Sequence, residues 1–381
     1  MATFPDIAGP IDVSARAGRV RQGWRGSDRF ADMAALVVTD LTNIRWLTGF
    51  TGSAGTAVVL PDEVVLVTDG RYGDQAERQL AGARCRSSIR IGRTAGEQLA
   101  LLAEVVAGVD RLGFESAHTT HARWCQLVDA LSMELIPTSG LVEACRRTKD
   151  GAEIARIERA CAIADLALAE VVPTIVPGRT EAQVRNDLER LMREFGATGP
   201  SYETIVAAGP VNAPLPHHRP TETVIEEGHT VVIDVGALVD GYHSDMTRTF
   251  LVGTPSALQR EVYEAVLDAQ VAGVAAVRPG LTTAELDAVC RDRLTQAGFG
   301  PWFSHGTGHG VGLLIHEDPF VNSAGGWVLQ EGDVVTVEPG VYRGDFGGVR
   351  VEDLVEVTST GGRALTRSPK EDPCLPSAPT T

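Results

Sequence analysis

One six-residue motif occurs twice in the chain. PGRTEA, beginning at Pro177, returns 102 positions later as PGLTTA, beginning at Pro279. The agreement runs past the motif, with Val184 opposite Leu286 and Gly196 opposite Gly298. Each copy reads as a helix, a Pro-Gly turn, a threonine placed to cap the next helix, and a glycine that stops it. Strand-like runs follow at 231–235 and 246–252 in the first copy, and at 334–337 and 349–357 in the second. Unrelated helical hairpins also share Pro-Gly turns and glycine stops. Here match, register and downstream strands agree together, which points to a duplicated unit. Two such halves create a cleft between them, a common place for a site.

The repeat leaves the first part of the 381 residues unaccounted for, and a length of this size suits two domains at about 150 residues each. Apolar, β-branched runs at 34–38, 55–60 and 64–68 read as buried strands, and helical patterns follow at about 71–82, 94–108 and 118–132. NIRWLTG (43–49) and TGSAG (51–55) read as turn-rich connections. This alternation predicts a small α/β domain. It holds no Gly-rich phosphate loop, so its expected task is structural or oligomeric. A long helix is expected from Asp150 to about Val172. The expected domains are therefore 1–148 and 149–362, with a Pro-, Ser- and Thr-rich tail at 363–381 read as loose.

Charge and cysteine usage exclude several classes. A formal charge of −16 argues against a nucleic-acid partner. No run approaches the ~18 apolar residues of a spanning helix, so no membrane role is expected. The six cysteines form no C-x-x-C pair, and the first residues lack the pattern of a secretory signal. Reduced thiols and a cytoplasmic setting are the expectation.

The chemistry gathers in the repeat. In VVIDVGALVDGYHSDMTRTF (231–250), Val239-Asp240-Gly241 is a turn signal between two strand-like runs, predicting a hairpin. Asp234 lies within an apolar strand, where a carboxylate needs a partner or a metal. Asp245 enters the returning strand. Taken alone, this pair is also readable as turn and capping residues. SHGTGHGVGLLIHE (304–317) places His305, His309 and His316 among four glycines. Glycines let backbone pass close to a ligand, and histidine is the commonest metal-binding side chain; the plain alternative is a Gly-rich loop with incidental histidines. Glu338 follows an apolar strand, and Glu352 sits in another, GVRVEDLV (348–355). Four carboxylates and one imidazole make a hard, oxygen-dominated set that suits two divalent ions, manganese or cobalt, better than a structural zinc.

This constellation resembles the pita-bread metallopeptidases, specifically the Xaa-Pro peptidases (aminopeptidase P and prolidase). VIDVGA, HSDMTRTF, HGTGHGVGLLIHE, VEPGVY and VRVED follow the family order from about 150 to 357, and NIRWLTGFTGSAG and TDGRY are similar to its N-terminal domain. The resemblance implies an α/β (α+β) chain: a small α/β N-terminal domain, then a pita-bread catalytic domain with an internal pseudo-twofold repeat. It implies that Asp234 is a terminal metal ligand, that Asp245 and Glu352 bridge two metals, and that His309 and Glu338 hold the other ion. Glu338 would also serve as general base. His305 and His316 would face the substrate and stabilise the oxyanion, and Arg350 would orient the acids. A further histidine follows NAPLP at 212–216, where the register favours His217 over His218; a surface histidine pair is the alternative.

The implied cofactors are two divalent ions, manganese foremost, with cobalt, zinc or iron as alternatives. The implied substrate is a proline-containing peptide and the implied assembly a homodimer. No long insertion separates Glu338 from Arg350, which favours Xaa-Pro aminopeptidase over Xaa-Pro dipeptidase activity. Arg343 reads either as a receptor for a dipeptide carboxylate or as a surface arginine on a turn. Two other readings stand: a pita-bread hydrolase or lyase acting on a small non-peptide substrate, and a non-enzymatic peptide-binding module.

Overall fold

The computed structural model describes residue 7 and residues 9–375. Contacts divide the chain into two units, with the break between Arg146 and Arg147, two residues ahead of the boundary expected at 148. Among the described residues no helix is long and apolar enough to cross a membrane.

The first unit is built on a six-stranded sheet. Its strands are β1 (Ala35–Val38), β2 (Thr56–Val59), β3 (Val64–Thr68), β4 (Ser87–Ile91), β5 (Arg111–Glu115) and β6 (Glu134–Thr138). They lie in the order β4-β3-β2-β1-β5-β6, with the β1–β2–β3 steps antiparallel and the others parallel. Six helices accompany them: α1 (Arg16–Arg25), α2 (Leu41–Thr48), α3 (Gly73–Gly82), α4 (Ala95–Val105), α5 (His121–Ala130) and α6 (Leu141–Arg147). Helix α2 corrects the reading of 43–49 as a connection. Asp40 caps it by accepting the Asn43 N–H at 2.8 Å, and Gly49 ends it at φ +77°. Its pattern was hidden because Asn43 is as buried as Ile44 and Trp46; the Asn43 amide is satisfied by Glu115 Oε1 at 2.6 Å.

The second unit opens with α7 (Gly151–Val171) and α8 (Glu181–Glu194), followed by β7 (Gly199–Pro200), β8 (Ile205–Ala208) and the short α9 (Gly209–Asn212). Next come β9 (Thr230–Asp234), β10 (Ala237–Val239), β11 (Tyr242–His243) and β12 (Thr247–Val252). Its second half begins with α10 (Ala257–Ala276) and α11 (Thr283–Gln296), then β13 (Gly308–Gly310), β14 (Glu317–Val321) and β15 (Val334–Val337). It closes with β16 (Gly340–Arg343), β17 (Gly347–Arg350), β18 (Asp353–Thr358), β19 (Gly361–Ala364) and β20 (Cys374–Leu375).

The repeat is physical. Helices α8 and α11 are each 14 residues long and begin 102 positions apart, and each starts in a capping box, at Thr180 with Gln183 and at Thr282 with Glu285. Each such cap contributes about 1 kcal/mol to its helix. Antiparallel triplets, β8-β9-β12 and β13-β15-β18, complete the two halves. Each triplet packs on its own helix pair through a separate apolar core, one containing Val184, Leu188 and Ile233, the other Leu286, Leu294 and Val335.

Two expectations need correction. The run at 349–357 is two strands, because β17 pairs with β16 while β18 pairs with β15, and Glu352 sits in the break. The tail read as loose from 363 is ordered through 375. Arg363 lies in β19, β20 pairs in parallel with β12, and Leu375 is buried. The buried guanidinium of Arg248 holds the Ser368 carbonyl at 2.6 Å, and Asp165 accepts the Arg367 and Ser368 N–H groups at 2.9 and 2.8 Å. Composition reads side chains, whereas this tail is held largely by its backbone. Residues 376–381 lie outside the described residues.

Candidate metal centre

Strand register brings the acids together. Asp234 ends β9 opposite Thr247, the first residue of β12. The intervening hairpin turns at Asp240 and Gly241, both with positive φ (+45° and +73°), as a tight right-twisted hairpin requires. Asp245 stands two residues before β12. Glu352, one residue before β18, occupies the matching place in the second half. Its N–H donates to Thr247 O at 3.1 Å, and its Oε2 accepts the Thr247 hydroxyl at 2.6 Å. Asp234, Asp245 and Glu352 each offer an oxygen within 4.8 Å of the others.

His309, central in β13, adds the nitrogen. Its Nε2 lies 3.6 Å from Asp245 Oδ2 and 3.5 Å from Glu338 Oε1. Glu338 follows β15, its N–H held by Thr307 O at 2.8 Å. The five donors face one cleft of about 430 Å³, which His217, His218, His305, His316 and Arg350 also line.

The electrostatics of this cluster are unbalanced. Burial pushes the Asp245 and Glu352 carboxyls well above the usual range, with their acidic neighbours adding to the shift, and burial raises Glu338 as well. Arg350 compensates in part: Nη2 donates to Asp234 Oδ2 at 2.6 Å, and Nε lies 4.0 Å from Glu338 Oε2. Burial holds His309 below the usual histidine pKa. Its Nδ1 lies 3.1 Å from Gly310 O, an obligate acceptor, so Nδ1 carries the proton and Nε2 presents a lone pair. A lone pair facing two carboxylates is repulsive unless a cation lies between them. The donor set therefore fits divalent metal.

The histidines divide by partner. His305 has both nitrogens engaged, Nδ1 with Gly306 O at 2.7 Å and Nε2 with the Tyr342 hydroxyl at 2.9 Å. The His316 ring packs edge-on against His309 at 4.3 Å between centroids. His218 Nε2 lies 2.9 Å from Glu181 Oε2, which anchors it to α8, while His217 is exposed on the cleft wall. Arg343 does not line the cleft; it pairs with Asp345 and stacks over Trp302 at 4.3 Å.

Tyr202 is a residue that the sequence reading did not single out. Its buried hydroxyl bonds to Asp234 and lies 2.5 Å from Asp245 Oδ1, bridging the two acids. Nothing in GPSYET marks it, because both partners lie more than 30 residues away. Tyr342, which donates to His305 and accepts from Arg350 Nη1 at 2.9 Å, lay within the quoted VEPGVY but carried no assigned role.

Comparison with known proteins decides the family. The profile of metallopeptidase family M24 matches residues 155–359, more than half of the chain, and the creatinase/prolidase N-terminal domain matches residues 29–148. The chain belongs to metallopeptidase family M24. An uncharacterised peptidase of Bacillus subtilis is 41% identical over 339 residues, covering 88% of this chain and 94% of that protein. A solved structure described as Xaa-Pro dipeptidase from Bacillus anthracis superposes with a TM-score of 0.88 at 40% identity, over 94% of this chain and all of that one. X-Pro aminopeptidase from Thermotoga maritima gives a TM-score of 0.84 at 30% identity, over 90% and 98% of the two chains. The M24 unit here has the pita-bread fold, and the chain is a metallopeptidase whose family works with divalent metal.

Proposed function

We propose that this M24 enzyme hydrolyses the Xaa-Pro bond at the amino terminus of peptides, with Asp234, Asp245, His309, Glu338 and Glu352 holding two divalent ions. The observation that carries the reading is the His309 Nε2 lone pair facing two carboxylates, Asp245 buried and Glu338 half-buried, in a cleft that collects all five donors. The Xaa-Pro activities named for the Bacillus anthracis and Thermotoga maritima neighbours support the choice of substrate. Bound divalent ions would polarise the scissile carbonyl and lower the pKa of the attacking water.

The protein groups take the remaining tasks. Glu338 accepts the proton of the attacking water and passes it to the departing prolyl nitrogen. Arg350 orients Asp234 through a charge-assisted hydrogen bond. His316 supplies a donor to the developing oxyanion. His305, whose Nδ1–H is spent on Gly306 O and whose Nε2 accepts from Tyr342, adds a second donor only on taking up a proton, and His217 forms the cleft wall. The oxygen-rich set supports manganese as the native metal, which elemental analysis of the purified protein tests. A homodimer and a cytoplasmic setting belong to the same proposal; light scattering and cell fractionation test them.

Of the two Xaa-Pro readings, we favour substrates extending beyond the proline. Two arginines line the cleft, Arg350 and Arg219, and Arg350 is committed to Asp234; Arg343 lies outside it, paired with Asp345. The dipeptidase reading is favoured by the other lining arginine, Arg219, whose side chain is 82% exposed and 3.3 Å from Glu203, available to a free carboxylate. Kinetics of the metal-loaded enzyme on Xaa-Pro and Xaa-Pro-Xaa side by side decide between them. Turnover of Xaa-Pro-Xaa supports the proposal; cleavage confined to the dipeptide replaces it with the dipeptidase reading.

A further inference from the structure

His316 belongs to the six-residue connection between β13 and β14. Its ring nitrogens form no hydrogen bond with any described residue, and its ring touches only that of His309 among the aromatic contacts. The side chain therefore does not fix its own position, and the backbone beneath must.

That backbone is pinned by a buried ion pair that the proposed chemistry does not use. Glu317, next to His316, pairs with Gly310 across the β13–β14 ladder. Its carboxylate turns away from the cleft, and Oε1 accepts from Lys149 Nζ at 2.6 Å, with the two side chains 7% and 1% exposed. The lysine is fixed in turn, because Nζ also donates to Arg147 O at 2.8 Å and its N–H to Gly332 O at 2.8 Å. Gly312 shows how tightly the loop closes on this pair. A Cβ there would lie 2.4 Å from Glu317 Oε1 and 2.9 Å from Lys149 Cε. The Gly312 carbonyl is held by the His243 N–H at 3.0 Å. The loop is thus tied at both ends, with His316 between the ties.

We propose that Lys149, acting through Glu317, is a positioning residue for His316, setting where its imidazole meets the oxyanion. The inference rests on the reading of His316 as that donor. It also accounts for glycine at 312, since a larger residue would push the carboxylate off the lysine.

The test uses the full-length, metal-loaded enzyme turning over Xaa-Pro-Xaa. K149M is expected to lower kcat about 10–100-fold, the usual scale for residues that orient a catalytic group, with bound metal and KM little changed. H316A alone is expected to lose about 100–1,000-fold. The deciding variant is K149M/H316A. If Lys149 works through His316, the double variant turns over within about twofold of H316A, because coupled residues are not additive. A pair that merely stabilises the fold predicts that the two losses multiply, and that result overturns the inference. K149M at wild-type kcat also overturns it. H316A at wild-type kcat removes the donor reading itself and the positioning role with it. Should K149M not accumulate as folded protein, G312A, whose one added carbon meets Glu317, makes the same comparison with H316A, and K149R is expected to recover part of the lost kcat.

Discussion

At the scale of single residues, the centre consists of acids that tolerate burial because something cationic belongs among them. Glu338→Gln keeps the shape of the side chain and removes both its charge and its basicity. Turnover should fall by about 10²–10⁴-fold, measured with metal at saturation so that weakened binding does not masquerade as lost base. Wild-type turnover would place the base elsewhere. Tyr202 offers a different separation. Its ring is half-buried and its hydroxyl bridges Asp234 and Asp245. Tyr202→Phe keeps the packing and releases both carboxylates from their shared donor. Metal affinity should fall about 10–100-fold with thermal stability of the apo protein nearly unchanged; calorimetric titration with manganese reads the first and a melting curve the second. The four acids stood out in the sequence because acids on or beside apolar strands are costly unless paired, and His309 because it lies among glycines with two further histidines. Tyr202 did not, because its value comes from two partners that only strand register brings to it.

At the scale of elements, the C-terminal segment belongs to the catalytic unit. Residues 365–375 supply Leu365 and Leu375 to the core and backbone carbonyls to Arg248, whose Nη2 also donates to Asp353 Oδ1 at 2.8 Å. Truncation after Ala364 exposes the two leucines' sites, each worth about 1.5–3 kcal/mol of burial. At about 2–4 °C per kcal/mol, the melting temperature should drop by at least about 6 °C. An unchanged melting temperature would show that the segment merely rests on the surface. Helix α2 teaches a related lesson. Asp40 and Gly49 were the start and stop signals, yet the buried polar Asn43 between them obscured the pattern.

For the whole molecule, binding and folding are linked. In the proposed centre, removing the metal leaves Asp245, Glu338 and Glu352 without the cation that offsets their burial. Chelation should therefore abolish turnover and lower the melting temperature together, and returning manganese should restore both. With metal at about 100 times its dissociation constant, the gain is about 2.7 kcal/mol. A melting temperature indifferent to metal would mean that these carboxylates are not its site. The two halves make this linkage global, since the acids come from the strand ends of both.

The sequence by itself determined the duplicated architecture and singled out the acids and histidines that the structure gathers in one cleft. Both are periodic or local signals: a motif repeated at fixed spacing, caps three residues from their targets, acids set within apolar runs. Tertiary structure decided that His218 is bound to Glu181 while His217 stays exposed on the cleft wall, that Arg343 is spent on Asp345, and that the tail is packed. It also decided that Lys149 meets Glu317 across 168 positions. A contact over such a distance leaves no trace in local pattern, because nothing about a lysine before a helix or a glutamate after a histidine shows that folding will bury them together.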